Sequence, residues 1–337
     1  MNDPSRFNRR HFLAAASAMS ASSLLALPRA AAAEPPPEIS KIRLVKVLAT
    51  CFAPQYIAED LLYAEGFTDI EYVNLERGTA PVAMAEGRVD ISMWDALATL
   101  PPIDAGQPVA VLAGLHAGCW ELFATGHIRT IRDLKDKTVA IKGFESGDHL
   151  LLSSMLAYVG MDPRKDVKWI AGPKSTEAMD LFVQGKADAY MGFAPQPQEL
   201  RRRKIGHAVV DTTQDRPWSQ YFCCVVAANR EFITRYPVAA KRALRAILKG
   251  ADVCAEEPER VARVLASKGY EQPHDRAVEV LRRLPYRRWR DSNPEDTLRF
   301  HALHLLEAGL IKSDPNKLIA QGTDWRFLNE LKKELKA

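Results

Sequence analysis

The chain has 337 residues, and its 46 Lys and Arg against 42 Asp and Glu give a formal charge of +4. Arg6, Arg9, Arg10 and Arg29 against Asp3 place +3 of that charge in the first 33 residues, so the remainder carries only +1 and the charge argument for a nucleic-acid partner falls away. The remaining length suits two lobes or one large α/β domain, and beyond the N-terminal segment no apolar run is long enough to cross a membrane.

The first element is a targeting segment. Asn8-Arg9-Arg10-His11-Phe12-Leu13 resembles the twin-arginine export signal. An apolar stretch rich in Ala, Ser and Leu follows over residues 12–27, closed by Pro28, and Ala31-Ala32-Ala33 forms a small-residue cleavage site. Charged, apolar and cleavage segments stand in the order of a secretory signal. The stretch is shorter than the roughly 20 residues that span a bilayer. The expectation is a signal over residues 1–33, removed on export to the periplasm. Glu34-Pro35-Pro36-Pro37 then opens a stiff leader to residue 40.

The body starts with a β-branched run over residues 42–49, a helix over 56–65 ended by Gly66, and a strand over 70–73. A short helix over 81–86 and strands over 89–93 and 109–115 follow. The cadence restarts with a strand over 137–141, a helix over 148–159 closed by Gly160, and a strand over 167–170. Then come a helix over 176–184, a strand over 187–191, a helix over 195–204, and strands over 208–211 and 221–227. Strands alternating with helices predict parallel sheets with covered faces. The last third reads as helices, beginning at Pro237, Pro258, Asn293 and Asp324.

One pattern occurs twice. Glu86-Gly87-Arg88-Val89-Asp90-Ile91-Ser92-Met93 parallels Gln184-Gly185-Lys186-Ala187-Asp188-Ala189-Tyr190-Met191. A helix ends on Gly, a basic residue follows, and Asp precedes an apolar strand. Two copies of one helix–turn–strand unit predict two lobes of similar topology. The five cysteines, Cys51, Cys119, Cys223, Cys224 and Cys254, have no framework spacing. They read as small core residues; export permits one disulfide, whose pairing spacing leaves open. The basic runs over 201–204 and 286–290 read as solvated helix faces or as a docking surface for a membrane partner.

No metal signature, phosphate loop, dinucleotide fingerprint or nucleophile elbow is present, so no metal and no cofactor is expected. In open α/β sheets ligands bind beyond the carboxyl ends of strands, near helix N-termini. The post-strand turns therefore supply the candidates. In the first half these are Gln55, Tyr56, Thr79, Trp94, Asp95 and Trp120; in the second, Ser146, Asp148, His149, Phe193 and the lid candidate Trp218. Thr79, Ser146, Ser175 and Asp148 also suit plain helix caps, and Trp94 and Trp120 suit core aromatics.

The alternating lobes, the repeated Gly-x-x-Asp unit, the segment Thr130-Ile131-Arg132-Asp133-Leu134-Lys135-Asp136-Lys137-Thr138-Val139-Ala140, the Gly78-Thr79 turn and Pro54-Gln55-Tyr56 resemble the nitrate/sulfonate/taurine-type periplasmic binding proteins that feed ABC importers. The resemblance covers about residues 40 to 250. It implies an α/β, type II two-lobed clamshell with C-terminal helices packed on lobe one. Lobe one would hold residues 41–122 and 222–337, and lobe two 123–221. It also implies a monomer that binds a small ligand, docks on an ABC permease in the inner membrane, and needs no nucleic acid. Glu76, Asp95, Glu145 and Asp148 depart from a bare-anion site, because burying several carboxylates against an anion is costly. They favour a nitrogen-bearing or aromatic ligand over a sulfonate. Two alternatives share the fold: a thiamine-pyrimidine-forming enzyme, of whose cysteine-rich motif Cys223-Cys224 is a fragment, and an exported sensor without an importer.

Overall fold

The computed structural model describes residues 34–336 apart from 48, 76–78, 173 and 271–272, so the predicted export signal lies outside the described residues. In the unit that starts at Pro37, the first strands are β1 (Lys41–Val45), β2 (Asp69–Val73), β3 (Ile91–Asp95) and β4 (Val109–Ala117). Between them lie α1 (Ala53–Ala64), α2 (Ala80–Ala85) and α3 (Ala96–Asp104). The second group is β5 (Trp120–Ala124), β6 (Thr138–Ile141), α4 (Gly147–Tyr158), β7 (Lys168–Ala171), α5 (Ser175–Val183), β8 (Ala189–Phe193), α6 (Gln196–Arg203) and β9 (His207–Asp211). The chain returns through β10 (Phe222–Asn229).

These strands build two lobes. In lobe one, β1 pairs with β2, and β10 lies between β3 and β4. Lobe two holds one five-stranded sheet in the order β7-β6-β8-β5-β9. The parallel pairing predicted from the alternation holds for β1 with β2 and for β6 with β7 and β8. It fails for β10, which runs antiparallel to β3 and β4, and for β5, which runs antiparallel to β8 and β9. The reason is topological. Each of these strands enters its sheet from the other lobe, at the carboxyl end of its neighbours, and must run against them. Every residue of β4 and β10 is buried, which is why both read as nearly unbroken apolar runs.

The repeated sequence unit has one structural meaning. Gly87 and Gly185 end their helices at φ 69° and 70°, a left-handed conformation that glycine adopts without a Cβ penalty. Asp90 Oδ2 accepts the backbone N–H of Arg43 at 2.8 Å, and Asp188 Oδ2 accepts that of Thr138 at 2.8 Å. Asp90 thus ties the start of β3 to β1, and Asp188 ties the start of β8 to β6.

The remaining helices are α7 (Arg230–Arg235), α8 (Pro237–Glu256), α9 (Pro258–Ser267), α10 (His274–Arg283), α11 (Arg288–Asp291), α12 (Pro294–Glu307), α13 (Pro315–Gly322) and α14 (Arg326–Glu334). Proline at the start of α8 removes an N–H that would be unpaired anyway. Ala243, Leu244, Ile247, Leu248 and Ala251 then form a buried stripe against α1. Gly250 lets the two helices touch, since a Cβ there would lie 2.3 Å from the Pro54 carbonyl oxygen. Most of this group packs on lobe one. Helix α12 also reaches α4 of lobe two, where His301 Nδ1 lies 3.5 Å from Ser154 Oγ.

Candidate functional site

The carboxyl ends of β3, β6 and β8 and the start of α4 face one another across a cavity of about 180 Å³. Thr79, Trp94 and Asp95 line it from one lobe; Trp120, Ser146, Asp148 and Phe193 line it from the other. These seven are residues that the sequence had marked. The lining is mainly apolar and aromatic, with a few polar groups, the composition of a small-molecule site.

Asp95 ends β3 and caps α3, its Oδ1 accepting the Ala98 N–H at 2.9 Å. Its Oδ2 accepts the indole N–H of Trp120 at 3.2 Å. Burial pushes this carboxyl up to about 7, against the pull of those hydrogen bonds. Trp120 in turn sets its ring edge-to-face on Phe193, 5.0 Å between centroids. Opposite, Asp148 lies in the first turn of α4, where Oδ2 accepts the Lys142 N–H at 2.5 Å and Oδ1 accepts the Ser146 hydroxyl. Burial raises its carboxyl too. Both of its oxygens are therefore engaged within their own loop.

Two lining groups have no such engagement. Trp94 Nε1 and Thr79 Oγ1 are buried and make no hydrogen bond among the described residues. An indole N–H withdrawn from water without a partner costs roughly 1–3 kcal/mol. Buried polar groups of this kind are the ones that a bound molecule or an ordered water can satisfy.

Four marked residues stand behind the cavity. The Gln55 side chain donates to Val45 O at 2.7 Å and accepts from Ser92 Oγ at 2.7 Å and Met93 N at 2.9 Å, joining β1 to β3. Tyr56 donates to Val47 O at 2.9 Å and accepts its N–H at 2.7 Å, which positions Val47, a lining residue. His149 Nδ1 accepts the Glu145 N–H at 3.2 Å, its ring set between Phe144 and Trp169. Burial pushes this imidazole down to about 4. Trp218 packs on Tyr158 and Phe300, near the interlobe contact of α12.

Other lining residues lie outside the eleven singled out from the sequence: Phe52, Lys142, Ser175, Tyr190 and four of the five cysteines. Cys51, Cys119, Cys223 and Cys224 all reach the cavity wall, and only Cys254 is a core cysteine away from it. No local signal marked Cys224: it reaches the cleft because β10, returning from lobe two, pairs it with Asp95 at the end of β3. All five cysteines are free.

Residues 49–261 match the NMT1/THI5-like family. This chain belongs to that family. No curated protein matches the sequence. The fold is similar to that of the periplasmic nitrate-binding protein NrtA from Synechocystis PCC 6803, with 16% identity, 90% of each chain covered and a TM-score of 0.74. It is also similar to the periplasmic aliphatic sulphonate binding protein SsuA from Escherichia coli, at 21% identity over 86% of this chain and 92% of that one, with a TM-score of 0.64. A Candida albicans protein of the generic periplasmic binding protein structural fold covers 85% of this NMT1/THI5-like chain and 96% of its own, with 14% identity and a TM-score of 0.68. The two-lobed periplasmic binding protein fold inferred from the sequence is thus the fold of this family member.

Proposed function

We propose that this chain is the exported solute-binding component of an ABC importer, which closes its two lobes on one small organic ligand and performs no covalent chemistry. The observation that carries the reading is a pair of buried groups, Trp94 Nε1 and Thr79 Oγ1, with no hydrogen-bond partner among the described residues, in a cavity walled by both lobes. The ligand presents an acceptor to the indole N–H and a flat apolar face to Trp94, Trp120 and Phe193.

Closure follows from the connections. The chain crosses between lobes at Cys119, just ahead of β5, and between Thr212 and Tyr221, just ahead of β10. Rotation about these links opens the cleft, and a ligand that touches both walls favours the closed form. The closed monomer then docks on a permease at the inner membrane, after export by the twin-arginine route. Replacing Arg9 and Arg10 together by lysine is expected to leave precursor in the cytoplasm; normal maturation of that double variant would count against the route.

Native mass spectrometry of protein purified from its own periplasm is expected to show one retained small molecule. The variant Trp94→Phe keeps the ring and removes the N–H. It should retain about tenfold less of that molecule while the melting temperature of the empty protein holds or rises. A reaction product released on incubation with the retained molecule would instead support an enzyme, and no difference between parent and variant would remove Trp94 from the site.

A further inference from the structure

The cleft wall contains a thiol cluster that small-molecule binding does not explain. Cys51 comes from the short turn ahead of α1, Cys119 from the link between β4 and β5, and Cys224 from β10. Their sulfurs all lie within 4.8 Å of one another. Three residues 68 and 105 positions apart in sequence meet at one point, facing the cavity.

The backbone at Cys119 is a second, independent observation. Its φ is 98°, a region that side chains rarely adopt, and it follows Gly118 at φ 84°. Strain of this kind is costly and persists only where the surroundings enforce it. Glycine at residue 119 would relieve the strain and fill the turn. A cysteine there instead aims its sulfur at two others. Cys223 stands outside the trio, its sulfur 4.0 Å from that of Cys224.

We infer that Cys51, Cys119 and Cys224 bind one soft, thiophilic d10 cation, monovalent copper, as a three-sulfur site open to the cleft. Soft thiolates select such ions over hard ones. Bonds of about 2.3 Å, the length of a zinc–thiolate bond, put three sulfurs around one ion about 4 Å apart. The observed cluster needs only a small contraction to reach that spacing. No fourth cysteine, histidine or carboxylate joins all three among the described residues. A closed tetrahedral zinc site asks for four protein ligands, and zinc held by three keeps a water in the fourth position, whereas three thiolates suffice for copper(I); the relative retention of zinc(II) and copper(I) separates the two. Binding replaces thiol protons, which pass to solvent, and changes no oxidation state. Because Cys119 lies on one of the two interlobe links, the ion would also tie that link to lobe one.

The test uses the mature chain, reduced and handled without oxygen. Monovalent copper is titrated in competition with a chromophoric copper(I) chelator, and X-ray absorption reports the coordination. One copper per chain with three sulfur neighbours is expected. Cys119→Ser and Cys51→Ala should each weaken retention by about 100-fold or more, beyond the 10- to 100-fold that loss of a supporting partner costs. Cys254→Ser, outside the cluster, should leave it unchanged. Absorption on the unmutated chain keeps the test valid if a variant folds poorly. Undiminished binding by Cys119→Ser, nitrogen or oxygen neighbours in place of sulfur, tighter retention of zinc(II) than of copper(I), or a disulfide within the trio in the isolated protein would each overturn the assignment. None of these readouts involves the organic ligand, so the proposed transport role stands or falls separately.

Discussion

The indole N–H of Trp120 donates to Asp95 Oδ2 across 3.2 Å, joining the first strand of the second sheet to the last residue of β3. One hydrogen bond thus ties the two lobes at the edge of the cleft, and its acceptor also caps a helix.

That double duty separates two substitutions at Asp95. Asp95→Asn keeps an oxygen for the Ala98 N–H, and asparagine caps helices as well as aspartate does. Asp95→Ala loses the cap, at a cost of about 1 kcal/mol. Thermal denaturation should therefore show Asp95→Asn near the parent and Asp95→Ala below it. Both should weaken ligand binding, by about ten- to hundredfold for a charged hydrogen bond in a desolvated cleft. Calorimetry that finds parental affinity in both variants would make this carboxyl scaffold only.

Gly147 opens α4 beside Asp95 at the end of β3. A Cβ there would lie 3.0 Å from Asp95 Oδ2 and 3.1 Å from Trp120 Cζ2. Gly147→Ala is expected to hold the cleft open. Scattering should show less compaction on ligand addition than in the parent, with thermal stability little changed. A normal ligand-induced decrease in radius of gyration would show that the neighbours yield.

Gly250 is a packing site remote from the cleft. Its missing Cβ would meet the Pro54 carbonyl at 2.3 Å, and neither helix backbone can move aside cheaply. Gly250→Ala should destabilise the chain by about 1–3 kcal/mol, the usual cost of overpacking. Denaturant unfolding measures it. Ligand affinity of the folded fraction should stay at the parental value.

Two buried histidines predict acid sensitivity. Burial pushes His149 down to about 4 and His301 to about 3, the latter helped by His304. Their folded values lie below the unfolded value of about 6.5. The unfolded chain therefore takes up protons first as pH falls. Stability is unaffected by these groups above about 6.5 and declines below it, by about 1.4 kcal/mol per pH unit for each histidine that stays neutral, levelling off under the folded values. The double variant His149→Gln, His301→Gln should show a shallower loss between pH 6 and 4 in chemical unfolding. Equal slopes for parent and variant would assign the acid sensitivity elsewhere.

Much of the scaffold was legible because its signals are local. The Gly-x-x-Asp unit needs only a left-handed cap and a carboxylate for a neighbouring N–H, and both copies serve in that way. Helix α3 was not legible, since Pro101 and Pro102 inside it are breaker signals. Strand β5 is missing from the predicted elements, because nothing local distinguishes a link from a strand completed by distant partners.

The residues alone were enough for the export signal as an expectation, the two-lobed α/β class, and the part of the cavity wall that sits directly after strands. Each depends on neighbours within a few positions along the chain. Which side chains face the cavity was decided by the tertiary structure. Gln55 and Tyr56 turn inward to bind the backbones of β1, β3 and the segment at Val47, while Cys51, Cys119 and Cys224 converge from three elements. Convergence of that kind depends on β10 entering from the opposite lobe and on one strained residue at the link, and neither is written in any local pattern of the sequence.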